Sequence, residues 1–220
     1  MVRIFAVAAV AFAASACHFG AKAEERDPGS SVSRNYQLGA FDKIDVAGPY
    51  QVKVATGGVP GASATGGDKL LDETEVLVEN GTLKIRAKKQ NGLRFSWGKR
   101  SKAQFTVTTA KLHAAAIAGS GGITVDKVAG DFKGDVAGSG KISAAGRAAS
   151  TRIDIAGSGD VDASRLVANT ATVSVAGSGK VRAQASESAK VNIAGAGDVA
   201  ITGGAKCTVS KAGSGNVTCG

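Results

Sequence analysis

The chain has 220 residues and a formal net charge of +9, with 31 glycines, 3 prolines and 5% aromatic residues. That length allows one large domain or two small ones. Glycine abundance without a Gly-X-Y period excludes collagen, and the scattered Val and Ile provide too much apolar surface for a disordered chain. Strands separated by glycine turns, around a thin core of small side chains, fit the composition better.

Residues 1–23 read as an export signal. Arg3 is a short positive start, and Ile4 to Ala16 is an apolar run too short to span a bilayer comfortably. Two processing sites compete. Ala14-Ser15-Ala16-Cys17 resembles a lipobox, which would leave Cys17 as a lipidated, membrane-anchored N-terminus. Ala21-Lys22-Ala23 is an A-x-A site, which would be cut before Glu24. Either cut sends the protein to the periplasm or the outer membrane. The net charge suits nucleic acid, but the export signal does not, so no nucleic-acid partner is expected. Residues 24–35 are polar, with Pro28, Gly29 and three serines, and are expected to form a flexible tether.

The folded body is expected over 36–220. Its first part, 36–112, shows strand-like alternation without a tight repeat. Lys43-Ile44-Asp45-Val46 and Tyr50-Gln51-Val52-Lys53-Val54 alternate polar and apolar around Ala47-Gly48-Pro49. Glu75 to Glu79 and Thr82 to Arg86 flank Asn80-Gly81, a strong hairpin signal because both central residues of a type I′ turn need positive φ. Ala103 to Thr109 is a further strand candidate.

A repeat fills 113–220. Ala-Gly-Ser-Gly begins at Ala118, Ala137, Ala156, Ala176 and Ala212, and Ala-Gly-Ala-Gly at Ala194, at spacings of 18 to 20 residues. Such a period signals stacked units that cannot bury their apolar faces alone. Ala47-Gly48-Pro49 looks like an earlier, degenerate copy. Directly before the turn alanine stand Ile117, Val136, Ile155, Val175 and Ile193. Two residues past the turn stand Ile123, Ile142, Val161, Val181, Val199 and Val217. Such columns are expected to point inward as aliphatic ladders, with Ala144, Ala163 and Ala183 marking a narrow interior. The predicted fold is all-β: a single-stranded, right-handed parallel β-helix with rungs of about 18–20 residues. Lys211 takes the aliphatic position of the last rung, which suits a polar end.

Cys207 and Cys219 lie symmetrically about Gly213 in that last rung, each in an inward column. A disulfide across the final coil is the expected pairing in an oxidising compartment, the alternative being two buried free thiols. Two cysteines without a nearby histidine lack a zinc ligand set, and no metal or other cofactor is expected.

The residue after each turn reads Gly122, Lys141, Asp160, Lys180, Asp198 and Asn216. In register, these charges would alternate along the stack, each exposed pair contributing about 0–1 kcal/mol. Lys180 would stand between Asp160 and Asp198, so the column favours structure over a catalytic carboxylate pair. No Gly-x-Ser-x-Gly elbow or triad pattern occurs, and His113 stands alone. No catalytic residues are assigned.

Residues 84–111 hold nine Lys or Arg and no acidic residue. Within them Arg94, Phe95, Trp97, Lys99, Arg100 and Lys102 place the single tryptophan among cations. This basic aromatic segment is a candidate for gripping anionic envelope glycan or lipid. The plainer reading, and the preferred one, is a solvated loop whose Trp97 and Phe95 pack back over the open N-terminal end of the solenoid.

Phe41 to Gly48 leading into Tyr50 to Val54, then Asn80 to Ile85, then Phe105 to Leu112 before the Gly-Ser-Gly series, is a specific order of blocks. It resembles the putative auto-transporter adhesin head GIN domain family over residues 36–220. The resemblance implies a parallel β-helix in the cell envelope and brings no catalytic residues. The expected function is a non-catalytic envelope protein, structural or adhesin-like. The alternatives are an anion- or glycan-binding module using the basic aromatic segment, and a polysaccharide-active β-helix enzyme.

Overall fold

A computed structural model describes residues 27–88 and 103–220. Cys17 and the segment containing Arg94, Phe95, Trp97, Lys99, Arg100 and Lys102 lie outside the described residues. The irregular first part holds β1 (Ser31–Gln37), β2 (Lys43–Ala47), β3 (Gln51–Thr56), β4 (Gly61–Gly67), α1 (Asp68–Asp72), β5 (Thr74–Glu79), β6 (Thr82–Ala87) and β7 (Gln104–Thr109). The repeat holds β8 (Ala114–Gly119), β9 (Gly122–Ala129), β10 (Phe132–Gly138), β11 (Lys141–Gly157), β12 (Asp160–Gly177) and β13 (Lys180–Gly195). It continues through β14 (Asp198–Thr202), β15 (Lys206–Ala212) and β16 (Asn216–Cys219). Among the described residues, no helix is long and apolar enough to cross a membrane.

Each turn separates two ladders of parallel strands. The pre-turn ladder runs from β6 through β2, β8 and β10, then through the C-terminal halves of β11, β12 and β13 to β15. The post-turn ladder runs from β7 through β3 and β9, then through the N-terminal halves of β11, β12 and β13 to β14 and β16. This is the stacked β-solenoid that the repeat predicts. The turn alanines pair in register from Ala47 through Ala118 to Ala212, so Ala47-Gly48-Pro49 is a true early copy of the turn.

The two glycines of the turn serve different needs. Gly157 has φ +126°, and a Cβ there would lie 2.4 Å from the carbonyl oxygen of Gly138 in the rung before. With no Cβ, that carbonyl is free to accept the Ser158 N–H at 2.9 Å. The second glycine points inward: a Cβ on Gly159 would meet Val136 Cγ1 at 2.4 Å. Between them Ser158 is exposed, which is why Ala196 replaces the serine in one rung without altering the turn.

The expected inward columns are buried. Ile117, Val136, Ile155, Val175 and Ile193 face Ile123, Ile142, Val161, Val181 and Val199 across the core, with Ala144, Ala163 and Ala183 beside them. Asn80 and Gly81 both have positive φ, at 50° and 71°, and close the β5–β6 hairpin.

The structure corrects the N-terminal boundary. Ser31 to Asn35, placed in the tether from sequence, belongs to β1, which pairs antiparallel with β4. Val32, Arg34 and Tyr36 are half-buried and alternate with exposed residues. Arg34 Nη2 holds Asp72 Oδ1 at 2.8 Å, tying β1 to α1. The described residues that fill the N-terminal end are the buried Leu70 and Leu71 of α1 and an aromatic group. In that group Tyr50 meets Phe105 edge-on, with centroids 5.7 Å apart. The Tyr50 hydroxyl shares a hydrogen bond with Thr74 at 3.1 Å, so its buried polar end is satisfied.

At the other end, Lys211 stands in register with Ile193 and donates to the Gly215 carbonyl at 2.9 Å. Val209, on the same strand, is 46% exposed. Cys207 and Cys219 form a disulfide across this rung, with Cα atoms 6.5 Å apart.

Gly157→Ala is expected to cost about 1–3 kcal/mol through backbone strain and the clash with the Gly138 carbonyl, while Ser158→Ala stays within about 0.5 kcal/mol; urea midpoints of the two variants decide this. Replacing Cys207 and Cys219 by serine is expected to cost at most about 3 kcal/mol on the loop-entropy account. Thiol labelling of the denatured, unreduced wild type is expected to find neither cysteine free.

Candidate functional site

A long concave feature among the described residues lies on the outside of the pre-turn ladder. It is a groove of about 700 Å³ whose lining runs from Asp45 to Ala212. Two outward columns build it. One is the turn alanine itself: Ala118, Ala137, Ala156, Ala176, Ala194 and Ala212 are exposed and supply a stripe of methyl groups. The other lies two residues earlier in each strand, on the same face, as the period-2 geometry of a strand requires. It carries Asp45, Asp135, Asp154, Ser174, Asn192 and Ser210, with Ala116 between the first two. All but Ser210 are half-buried, as expected on a concave face.

Two of the carboxylates are held from the side. Lys133 Nζ reaches Asp135 Oδ2 at 2.8 Å. Arg152 grips Asp154 with two contacts, Nε to Oδ2 at 2.8 Å and Nη2 to Oδ1 at 3.3 Å. The hydrogen bond to Asp154 also holds the Arg152 guanidinium above its ordinary pKa. Each cation sits two residues before its carboxylate on the same strand, so the pair lies flat on the face and fixes the carboxylate beside the groove. The result is an apolar floor with one polar group at nearly every rung, repeating at about 4.8 Å.

The post-turn ladder differs. Lys141, Asp160, Lys180 and Asp198 pair in register, giving the alternating column that the repeat predicts. Lys141, Asp160 and Lys180 border a smaller cavity of about 210 Å³. Arg182 approaches Asp162 at 3.7 Å in the neighbouring column. The Ser164 hydroxyl holds Asp162 below the usual carboxylate range, against burial and with help from the Ser164 N–H and Arg182. Lys180 stands between Asp160 and Asp198, so these two aspartates are not brought together.

Among the described residues, no group of three or more His, Cys, Asp or Glu is placed to hold a metal ion. Of the sequence-predicted site residues, Cys207 and Cys219 meet in the disulfide. Cys17, Arg94, Phe95, Trp97, Lys99, Arg100 and Lys102 lie outside the described residues. The groove column is the feature that sequence reasoning missed. Its signal is positional: the second residue before each turn alanine is polar in six of the seven rungs that line the groove.

The fold has solved counterparts. A putative adhesin from Bacteroides fragilis is similar at 21% identity, over 86% of this chain and 97% of that chain, with a TM-score of 0.64. A putative lipid binding protein from Parabacteroides distasonis is similar at 21% identity, over 87% and 97% of the two chains, with a TM-score of 0.52. A putative adhesin from the same organism is similar at 19% identity, over 87% and 97%, with a TM-score of 0.52. At such identities the likeness establishes the fold alone. No curated protein matches the chain. The family described as putative auto-transporter adhesin, head GIN domain, matches residues 40–205, which takes in the first turn copy and most of the repeat. On that match, together with the stacked Gly-Ser-Gly turns, the chain belongs to this adhesin head family.

Proposed function

We propose that this protein is a non-catalytic, adhesin-like component of the bacterial cell envelope, presenting a rigid solenoid whose long pre-turn face is its contact surface. The observation that carries this reading is the groove spanning seven stacked rungs, with methyl groups along its floor and polar groups along its edge. Nearby charges are spent on neutralising one another along a strand or between rungs, as in Lys133–Asp135 and Arg182–Asp162. They do not converge on a reacting atom. The putative adhesins among the similar structures and the family description agree with the same reading.

Export follows from residues 1–23, and Cys17 is the candidate lipid anchor. With the anchor, the wild-type chain is expected in the membrane fraction of the envelope, and Cys17→Ala in the soluble periplasmic fraction. Recovery of the wild type in the cytoplasm sinks the export reading. Beads coated with the mature protein are expected to adhere to envelope material more than beads coated with urea-unfolded protein; equal adhesion sinks the adhesive reading.

A second reading is favoured by the run of cations from Lys84 to Lys111, unbroken by an acidic residue. Both sides of the basic aromatic segment are anchored: the Lys88 N–H donates to the Glu73 carbonyl, and the Ala103 carbonyl accepts from the Gln51 N–H. The segment would grip anionic glycan or lipid headgroups through Trp97, Lys99 and Arg100. The shared fold with a putative lipid binding protein is in keeping with this. Replacing those three residues by alanine is expected to weaken retention on immobilised lipopolysaccharide by roughly tenfold or more. Unchanged retention removes the segment from the account.

A further inference from the structure

We infer that the pre-turn groove binds a linear, uncharged glycan lying lengthwise along the solenoid, across the rungs. The inference rests on the adhesive reading above and names the ligand class of the same face.

The shape selects a slender ligand. Seven rungs set the groove length at about 29 Å, and two outward columns on one strand face set its width at about 7 Å. A footprint on the order of 200 Å² falls far short of the roughly 800 Å² per partner that a stable protein pair buries. A second copy of the chain therefore does not fit this face as a partner. A single polymer strand does.

Chemistry then separates the polymers. An acyl chain would cover Asp45, Asp135, Asp154, Ser174, Asn192 and Ser210 without offering any of them a hydrogen bond, a costly loss of solvation for each. A polyanion would meet three carboxylates along the same edge. Lys133 and Arg152 compensate two of them, so the edge as a whole does not demand a polycation either. An extended peptide advances about 3.3 Å per residue, out of step with rungs about 4.8 Å apart, and it crosses the strands, where it cannot join the ladder. A pyranose unit advances by nearly one rung. Its hydroxyls both donate, as Asp135 and Asp154 require, and accept, as the Asn192 amide requires. Its C–H face packs on the methyl groups of the alanine stripe. The side-on grip of Arg152 on Asp154 occupies one edge of the carboxylate and leaves the remaining lone pairs for a ligand hydroxyl.

The test uses the mature protein and named probes: cello-, N-acetylchito- and malto-hexaose, with polygalacturonate, phosphatidylglycerol vesicles and a ten-residue Ser-rich peptide as comparators. Ala156→Phe and Ala176→Phe fill the groove from exposed positions. Thr124→Phe places the same side chain at an exposed position on the post-turn face. Urea unfolding checks that all three variants keep the fold. The expected result is retention of at least one neutral hexaose, weakened roughly tenfold or more by either groove variant and unchanged by Thr124→Phe. The corresponding disaccharide is expected to bind far more weakly, because it spans only two rungs. The inference is overturned if no neutral hexaose is retained, or if the filled variants retain it as well as the wild type. It is also overturned if polygalacturonate, the vesicles or the peptide is the probe whose binding the groove variants abolish. Beads that adhere to envelope material while no hexaose binds would remove the glycan and leave the adhesive reading standing. Hexaose binding without bead adhesion would do the reverse.

Discussion

The rest of the structure depends on one backbone hydrogen bond repeated at the turn. In four successive rungs the residue after the first turn glycine donates to the carbonyl of the glycine one rung before: Ser139 to Gly119, Ser158 to Gly138, Ser178 to Gly157 and Ala196 to Gly177. The bond needs a glycine at positive φ with no Cβ above the neighbouring carbonyl. Once it forms, register is set. A slip of one residue would turn every inward side chain outward, so the same bond that stacks the turns also assigns Ile155 to the core and Ala156 to the surface. The groove is thus a consequence of the turn. Its floor is the residue next to the glycine, and its edge is the next residue on that face.

A stack of this kind must also be closed, because each rung buries its apolar face only against its neighbours. The two ends are closed by different means. At the N-terminal end, antiparallel β1, β4 and β5 replace parallel rungs, and Leu70, Leu71, Tyr50 and Phe105 supply bulk. At the other end the last rung is left largely exposed: Lys211 takes the place of Ile193 and bends to the Gly215 carbonyl, and the disulfide spans the coil. The middle rungs can therefore remain thin and nearly identical, with small residues such as Ala163 and Ala183 in the core.

What could be read from the sequence follows from this division. The inward columns, the alternating Lys141–Asp160–Lys180–Asp198 column and the disulfide were legible because the Ala-Gly-Ser-Gly turn gives an internal ruler and the chemistry of each column is distinctive. The β5–β6 hairpin was legible from Asn80-Gly81. β1 was not, because Ser-Val-Ser-Arg-Asn-Tyr-Gln is polar and half-buried, and its partner β4 is rich in glycine and alanine. α1 spans five residues, too few for a helical period to show. The groove column escaped notice because its members change from Asp to Ala, Ser and Asn. Only its place relative to the turn is constant.

The two outer faces manage charge in opposite ways, and the difference bears on which one meets a ligand. On the post-turn face opposite charges stack from rung to rung, so each charge is answered along the solenoid axis. On the pre-turn face Asp135 and Asp154 stack like on like in adjacent rungs. In water, at about 4.8 Å, that repulsion is on the order of 1 kcal/mol. It is answered sideways by Lys133 and Arg152, within each strand. If stacking stability alone governed the face, alternation along the axis would serve better, as it does on the other side. The sideways arrangement keeps a row of acceptors in line along the groove, with the cations displaced to its flank. That geometry contributes little to holding the rungs together. It does present a line of hydrogen-bonding groups, broken at Ala116, to whatever lies on the alanine floor.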